Sequence, residues 1–325
     1  MSTRVNIVSA FRFSPESQQL LSDAAGGPIT CVTTDEELTN NLAEAEVLCA
    51  YSVPQHVRDL APHLRWLQFP GAGVDSLRKT GLLEPTSPII ITSASGIHAS
   101  TIAEYVFGSM LMFNWNWPQM VRLQDQHIWA RSAGWYNLGR RELIDATLGI
   151  VGVGNIGRRI AQIGHAFGMR TLGMRRSASD ERDPDIDAFF PRERLHELLS
   201  QSDYVVLAVP LTPDTEKLIG EAELRAMRHS AYLVNIARGH VVDEAALIRA
   251  LREGWIAGAG LDVTETEPLP SESPLYSMPN VILTPHLSGN SVYYGERLAK
   301  LFAENIRRYR AGAALLNRYD AKRGY

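Results

Sequence analysis

Short apolar runs alternate with polar stretches of helical length over the first hundred residues. The runs occupy residues 5–10, 29–33, 47–52, 64–69 and 89–94. This rhythm is typical of strand–helix–strand units around a parallel sheet. A helix is then predicted from about Thr101, because Thr101 and Glu104 have the spacing of a capping box and an apolar run follows.

A second series of apolar runs follows at residues 148–151, 169–174, 204–209, 231–237, 257–263 and 281–285. A helix is predicted over 243–253, ending at Gly254 as a C-cap, and an amphipathic helix over 292–309. The pattern predicts an α/β protein with two Rossmann-like or flavodoxin-like domains built on parallel sheets. We assign 1–99 and 290–325 to one domain, into which a second domain, 100–289, is inserted.

The glycines Gly152, Gly154 and Gly157 directly follow the strand candidate 148–151, and a helix pattern follows them. This spacing lets a backbone wrap a pyrophosphate: one glycine makes the tight turn, one admits the phosphates, and one packs helix on strand. The first amides of the helix, with Asn155 and Ile156, then face the anion. We therefore predict that the inserted domain, 100–289, binds a dinucleotide. The remaining domain, 1–99 with 290–325, is then the substrate domain.

The residues after the next strand candidate bear on the choice of cofactor. An enzyme that uses NAD usually ends this strand with a carboxylate that binds the ribose diol. This chain has Arg175, Arg176 and Ser177 there. Guanidinium groups suit a 2′-phosphate, so NADP(H) is preferred and NAD(H) is the alternative. The alternative is that these residues form a basic loop that is exposed to solvent and binds no cofactor.

Composition excludes several other classes of protein. The 325 residues suit two domains, and 45% hydrophobic with 21% charged residues is typical of a globular protein. The net charge of −4, without a dense basic run, gives no support for a nucleic-acid partner. No run reaches membrane length, so we expect a cytoplasmic protein with no membrane partner. Cys31 and Cys49 lie in apolar runs and are expected to be buried, and no spacing predicts a metal site.

Three polar residues follow strand candidates of the inserted domain, where Rossmann-type sheets bind their ligands. Arg238 can hold a carboxylate through two hydrogen bonds, or it forms a strand-end salt bridge. His286 can give or take a proton near neutral pH. Glu267 can fix the tautomer of an imidazole and favour its protonated form, although a glutamate before proline is usually just solvated.

The ordered motifs of the whole chain resemble those of the D-isomer-specific 2-hydroxyacid dehydrogenases, most closely the glyoxylate/hydroxypyruvate reductase branch. The matching segments are GAGVD at 71–75, GVGNIG at 152–157, VPLTPDT at 209–215, NIARG at 235–239, LDVTETEP at 261–268 and TPHLSG at 284–289. The resemblance implies reduction of a small 2-oxo acid, such as glyoxylate or hydroxypyruvate, to the D-2-hydroxy acid by hydride from NADPH.

The resemblance also implies the role of each site residue. Arg238 would orient the 2-oxo acid, His286 would protonate its carbonyl oxygen, and Glu267 would stabilise the protonated imidazole. The backbone amides of Ala72 and Gly73 would hold the substrate carboxylate. Further cofactor contacts would come from Val209, Pro210, Thr215, Ala237, Asp262, His286, Ser288 and Gly289.

Two alternatives remain open. An NAD-dependent relative such as phosphoglycerate dehydrogenase shares the frame, although it often carries a regulatory domain; formate dehydrogenases usually pair their histidine with glutamine, where this chain has Glu267. A nucleotide-sensing interaction protein, like the corepressors that resemble the family, can retain the same motifs. The tryptophans Trp115, Trp117, Trp129 and Trp135 indicate either a homodimer interface or packing within the chain.

Overall fold

The computed structural model describes residues 4–129, 141–175 and 183–324. The chain divides into two compact units, Met1–His98 with Asn290–Tyr325, and Ala99–Gly289. Arg176, Ser177 and Trp135, which the sequence singles out, lie outside the described residues.

The strands of the described residues are short and mostly buried. In chain order they are β1 (Ile7–Ser9), β2 (Thr30–Cys31), β3 (Val47–Cys49), β4 (Trp66–Gln68), β5 (Ile90–Thr92), β6 (Thr147–Val151), β7 (Arg170–Met174), β8 (Ala188–Phe190), β9 (Tyr204–Leu207), β10 (Tyr232–Asn235), β11 (Gly258–Leu261) and β12 (Val281–Leu283).

Helices occupy most of the connections between these strands. They are α1 (Pro15–Ala25), α2 (Asp35–Leu42), α3 (Val57–Leu60), α4 (Ala99–Asn114), α5 (Trp117–Asp125), α6 (Asn155–Ala166), α7 (Leu195–Gln201), α8 (Glu221–Ala226), α9 (Glu244–Glu253) and α10 (Tyr294–Arg310).

The first unit is a parallel sheet in the order β2-β1-β3-β4-β5. One core lies between this sheet and the helices α1 and α10, and it includes Leu21, Trp66 and Phe302, which are fully buried. The Trp66 indole donates to Thr92 Oγ1 (2.7 Å), so the polar atom of this large ring is satisfied inside the core.

The second unit is a seven-stranded sheet in the order β12-β11-β10-β9-β6-β7-β8, with every neighbouring pair parallel. The chain builds outward from β6 through β7 to β8, then returns to β9 on the other side of β6. Such a reversal of strand order opens a crevice at the carboxyl ends of the strands, where doubly wound sheets bind their ligands. The fold class predicted from the sequence is confirmed.

Most predicted elements are present. Each predicted apolar run contains a strand, and α9 lies between its N-cap Asp243 and Gly254, which adopts φ of 70°. β8 was missed, because only three residues of this segment pair with β7 and a polar stretch precedes them.

Two local predictions are wrong. The helix predicted from about Thr101 is present, but it begins at Ala99, so Thr101 lies inside the helix and the predicted cap is wrong. Cys31 is exposed rather than buried, because it lies on β2, a two-residue strand at the edge of the sheet, whereas Cys49 is buried as predicted.

Candidate active site

The parallel strands of the second unit bring several of the predicted site residues to one edge of the sheet. Their carboxyl ends carry Arg175 after β7, Gly152 after β6, Arg238 after β10 and His286 after β12. The glycine loop and Arg175 therefore lie at the half of the edge beyond β9, and the proposed catalytic residues lie at the other half.

The three loop glycines have different surroundings. Gly152 adopts φ of 107°, and a side chain there would meet the backbone of Ala208 at 2.8 Å. A Cβ on Gly157 would lie 2.3 Å from the carbonyl oxygen of Gly152, so the helix packs directly on the loop. Gly154, the N-cap of α6, faces open space and offers no side chain to cap the first amides, which include those of Asn155 and Ile156. This is the arrangement of a site for an anion.

Arg175 follows the last residue of β7, and its guanidinium lies over the ring of Phe189, 4.0 Å from the ring centroid. Stacking on an aromatic ring holds the guanidinium plane while its edge can donate hydrogen bonds. Phe189 belongs to β8, so sequence reasoning missed it; its signal was the short run of Phe189 and Phe190.

The loop after β9 is folded by one hydroxyl group. Thr215 Oγ1 donates to the carbonyl oxygen of Pro210 (2.6 Å) and accepts from the amide of Thr212 (2.8 Å). Thr215 thus shapes the backbone that follows Val209. The cofactor contacts predicted for Val209, Pro210 and Thr215 stay predictions.

Arg238 lies in a turn that the buried side chain of Asn235 holds. Asn235 Oδ1 accepts from the amide of Ala237 (3.1 Å), and its Nδ2 donates to the carbonyl of Arg238 (3.0 Å). A Cβ on Gly239 would lie 1.9 Å from the carbonyl carbon of Thr264. Only glycine permits this approach, so the motif brings the loop that carries Glu267 against the turn that carries Arg238.

Glu267 and His286 meet directly. Oε2 of Glu267 lies 2.8 Å from Nδ1 of His286, and Oε1 accepts from the amide of Thr264 (3.2 Å). The two side chains are 39% and 48% exposed, so both are accessible to a ligand. A carboxylate that contacts Nδ1 favours the tautomer with its proton on Nδ1, and it leaves Nε2 outside the ion pair.

The loop after β12 wraps around the carboxylate of Asp262, which is 2% exposed. The amide of Leu287 donates to Oδ1 (2.9 Å) and that of Ser288 to Oδ2 (3.0 Å), while the amide of His286 donates to the Asp262 carbonyl (2.8 Å). These bonds hold His286 at φ of 52°, a left-handed conformation that costs a non-glycine residue roughly 1 kcal/mol. Asp262 therefore organises the loop that ends at Gly289, and its predicted cofactor contact stays a prediction.

In the first unit, the loop after β4 contains Ala72 and Gly73. Neither amide donates a hydrogen bond to another group in the described part of the chain. The ring of Tyr51, 48% exposed, lies beside this loop, with Cε1 3.7 Å from where a Gly71 Cβ would be. The Tyr51 hydroxyl bonds that of Tyr294, whose proton goes to the carbonyl of Pro70 (2.7 Å).

No helix of the described ranges is both long and apolar enough to cross a bilayer. Across the same ranges, no three histidine, cysteine or carboxylate side chains are placed together as ligands of a metal ion would be.

Comparison with known proteins identifies the family. Residues 107–288 match the family model described as "D-isomer specific 2-hydroxyacid dehydrogenase, NAD binding domain". The glyoxylate reductase of Thermococcus gammatolerans is 38% identical over 270 residues, which cover 79% of this chain and 76% of that protein.

Two solved structures are similar to this chain over nearly its whole length. A D-isomer specific 2-hydroxyacid dehydrogenase from Xanthobacter autotrophicus Py2, in complex with NADPH and MES, superposes with a TM-score of 0.83 at 30% identity, covering 99% of this chain and 100% of that chain. The NADPH-dependent glyoxylate/hydroxypyruvate reductase SmGhrA of Sinorhizobium meliloti, in complex with NADP and sulfate, gives 0.83 at 26% identity with the same coverage. This chain belongs to the D-isomer specific 2-hydroxyacid dehydrogenase family, in its glyoxylate/hydroxypyruvate reductase branch, and is an NAD(P)-dependent oxidoreductase.

Proposed function

We propose that the protein reduces a small 2-oxo acid of the glyoxylate or hydroxypyruvate type to the D-2-hydroxy acid, using NADPH. The observation that carries the proposal is the contact of 2.8 Å between Glu267 Oε2 and His286 Nδ1, at the sheet edge that also carries the glycine loop. A proton donor with its orienting carboxylate is the group that a carbonyl reduction requires from the protein.

The glycine loop fits a dinucleotide. Gly154 leaves open space in front of the helix N-terminus, and that helix carries no side-chain cap of its own. Gly152, Gly154 and the amides of Asn155 to Gly157 would hold the pyrophosphate. When bound, the nicotinamide supplies the hydride that the carbonyl carbon accepts.

The chain's own groups manage charge and protons at the substrate. Arg238 would pair with the 2-oxo acid, and its positive charge favours the negative charge that grows on the carbonyl oxygen. His286 would deliver the proton from Nε2 to that oxygen, and Glu267 would stabilise the imidazolium before delivery. The amides of Ala72 and Gly73, which have no acceptor in the described part of the chain, would hold the carboxylate.

The preference for NADPH rests on Arg175, whose guanidinium is held on Phe189 at the end of β7. Arg175→Asp should weaken NADPH binding by about 10- to 100-fold, because a charge-assisted pair is lost and a repulsive charge is added. NADH binding should change little or improve.

Arg170→Asp is the matched control for this variant. Arg170 is exposed at the opposite end of the same strand, where it donates to Gln201, so the charge change is identical but distant from the proposed phosphate. An unchanged ratio of NADPH to NADH affinity in Arg175→Asp, measured by fluorescence titration, would refute the assignment.

The function itself is tested by a panel of 2-oxo acids assayed with NADPH and with NADH at 340 nm. We expect steady oxidation of NADPH with glyoxylate or hydroxypyruvate and formation of D-glycerate from hydroxypyruvate. A protein that binds NADPH but turns over no 2-oxo acid would instead support the nucleotide-sensing alternative.

We also propose a homodimer that forms through the segment 115–129. Trp115 and Trp117 are each 50% exposed and Trp129 is 88% exposed, so large apolar rings face solvent within one short stretch of the second unit. Exposed apolar surface of this kind marks an interface. Sedimentation equilibrium should give a dimer that Trp117→Glu weakens; a monomeric wild-type protein would refute the proposal.

A further inference from the structure

Two partly buried hydroxyl groups link helix α4 to the carboxylate of Asp262, which binds the loop that carries His286. Tyr105 Oη lies 2.8 Å from Thr284 Oγ1, and Thr284 Oγ1 donates to Asp262 Oδ1 (2.6 Å). The carbonyl of Thr284 also accepts from the amide of His286 (3.1 Å). Thr284 belongs to the TPHLSG segment, but no motif of the sequence includes Tyr105.

The direction of each hydrogen bond follows from its acceptors. The two carboxylate oxygens of Asp262 receive the amides of Leu287 and Ser288 as well as the Thr284 hydroxyl, so Asp262 acts as an acceptor throughout. Thr284 has a single hydroxyl proton, and it goes to Asp262. Tyr105 must therefore donate to Thr284, which makes the chain of bonds directional.

Tyr105 is suited to be a permanent donor. It is partly buried against a hydrophobic core of the second unit, and burial raises the pKa of its hydroxyl to about 12, so it keeps its proton at any physiological pH. Its position on the long helix α4 gives the donor a rigid support.

The loop that carries His286 needs such support. His286 holds a left-handed backbone conformation (φ of 52°), which a relaxed non-glycine residue would leave. Its own amide and the next two amides all donate to Asp262. Any freedom in the Asp262 carboxylate is therefore transmitted to the backbone that directly follows His286.

We propose that Tyr105 is a positioning residue for His286, acting through Thr284 and Asp262. Its catalytic consequence rests on the proposed function, while its effect on the loop does not. With the hydroxyl removed, the loop samples other conformations, and the imidazole spends less time beside Glu267 and in register with a substrate.

The test compares Tyr105→Phe with Tyr232→Phe. Tyr232 is a matched control, because it is buried in the same unit and its hydroxyl lies 2.8 Å from that of Ser109, which is on the same helix α4. Each variant loses one contact between two hydroxyl groups, partly buried at Tyr105 and buried at Tyr232, but only Tyr105→Phe loses a link to the His286 loop.

We expect Tyr105→Phe to lower kcat about fivefold or more, with the KM for the 2-oxo acid and the Kd for NADPH within about twofold of wild type. Tyr232→Phe should lower the melting temperature but leave kcat unchanged. Thr284→Ser, which keeps the hydroxyl, should retain kcat, whereas Thr284→Val should lower it at least as much as Tyr105→Phe.

A second readout needs no substrate. Amide hydrogen exchange at Leu287 and Ser288 should be faster in Tyr105→Phe by a similar factor and unchanged in Tyr232→Phe. Equal exchange at these amides in both variants would overturn the inference, whatever the activity. Wild-type protein that reduces no 2-oxo acid would refute the proposed function, and the exchange data would still decide the role of Tyr105.

Discussion

Two glycines of one loop, Gly154 and Gly157, allow the cofactor site and the fold to be perturbed separately. An added Cβ on Gly154 would meet nothing within 4 Å, and the backbone φ of −99° suits any L-residue. An added Cβ on Gly157 would lie 2.3 Å from Gly152 O, where real Cβ atoms essentially never come closer than 3.0 Å. Gly154→Ala should therefore affect the ligand, and Gly157→Ala should affect the packing of α6.

The two variants should differ in how much stability they lose. In Gly157→Ala, α6 must move away from the backbone of Gly152, and this overpacking should lower the free energy of unfolding by about 1–3 kcal/mol. The higher helix propensity of alanine should offset about 1 kcal/mol of this loss. For a unit of this size, each 1 kcal/mol lowers the melting temperature by roughly 2–4 °C. Gly154→Ala should cost only the difference between glycine and alanine as N-cap, about 0.5 kcal/mol.

NADPH binding, in contrast, should be weakened more by Gly154→Ala than by Gly157→Ala. A methyl group on Gly154 occupies the space proposed for the pyrophosphate and separates it from the first amides of α6. Loss of hydrogen bonds to a charged group costs about 1.5–3 kcal/mol, so NADPH should bind roughly 10- to 100-fold more weakly.

The assay pairs thermal unfolding of the ligand-free protein with fluorescence titration of NADPH, for both variants and wild type. We expect Gly154→Ala to melt within about 2 °C of wild type and to bind NADPH poorly. If Gly154→Ala binds NADPH as wild type does, the space in front of α6 is not the pyrophosphate site.

Two further predictions concern titratable groups. Glu267→Gln should lower kcat about 10²-fold with KM nearly unchanged, because a neutral amide cannot stabilise the imidazolium of His286; Glu272→Gln, in an exposed loop, is the control, and equal kcat values would contradict the role of Glu267. His98 is 8% exposed and packs on the Tyr294 ring, and burial lowers the pKa of its imidazole to about 4 from 6.5. As pH falls, the unfolded chain therefore protonates His98 before the folded protein does. The free energy of unfolding has its full value above pH 6.5 and decreases by about 3 kcal/mol as pH falls towards 4. Urea unfolding at pH 7 and pH 4.5 should show a smaller acid loss in His98→Phe, and an equal loss would contradict the prediction.

The apolar runs predicted the sheets well because strands buried on both faces are nearly continuous hydrophobic segments. The same logic missed β8, where the Ala188–Phe190 strand is short and follows a polar stretch. It also misplaced Cys31, because an apolar run does not reveal that its strand lies at a sheet edge with exposed side chains. Edge position is a property of topology, which depends on residues far along the chain.

The site was predictable where a motif fixes backbone geometry. Glycine at 239 is required because the Thr264 backbone lies where its Cβ would be, and this contact is implicit in the motif that also contains Arg238. The role of Tyr105 was not predictable, because its partner Thr284 is 179 residues away and no local pattern marks the pair. Likewise, the support of Arg175 by Phe189 depends on the pairing of two strands.

In the proposed reaction, the imidazole of His286 supplies the proton that completes the reduction. The most direct measurement is the single-turnover rate of NADPH oxidation by His286→Asn with saturating glyoxylate or hydroxypyruvate, since asparagine tolerates the left-handed backbone at this position. We expect a rate about 10²- to 10⁴-fold below wild type with NADPH affinity nearly unchanged. A rate close to that of wild type would contradict it.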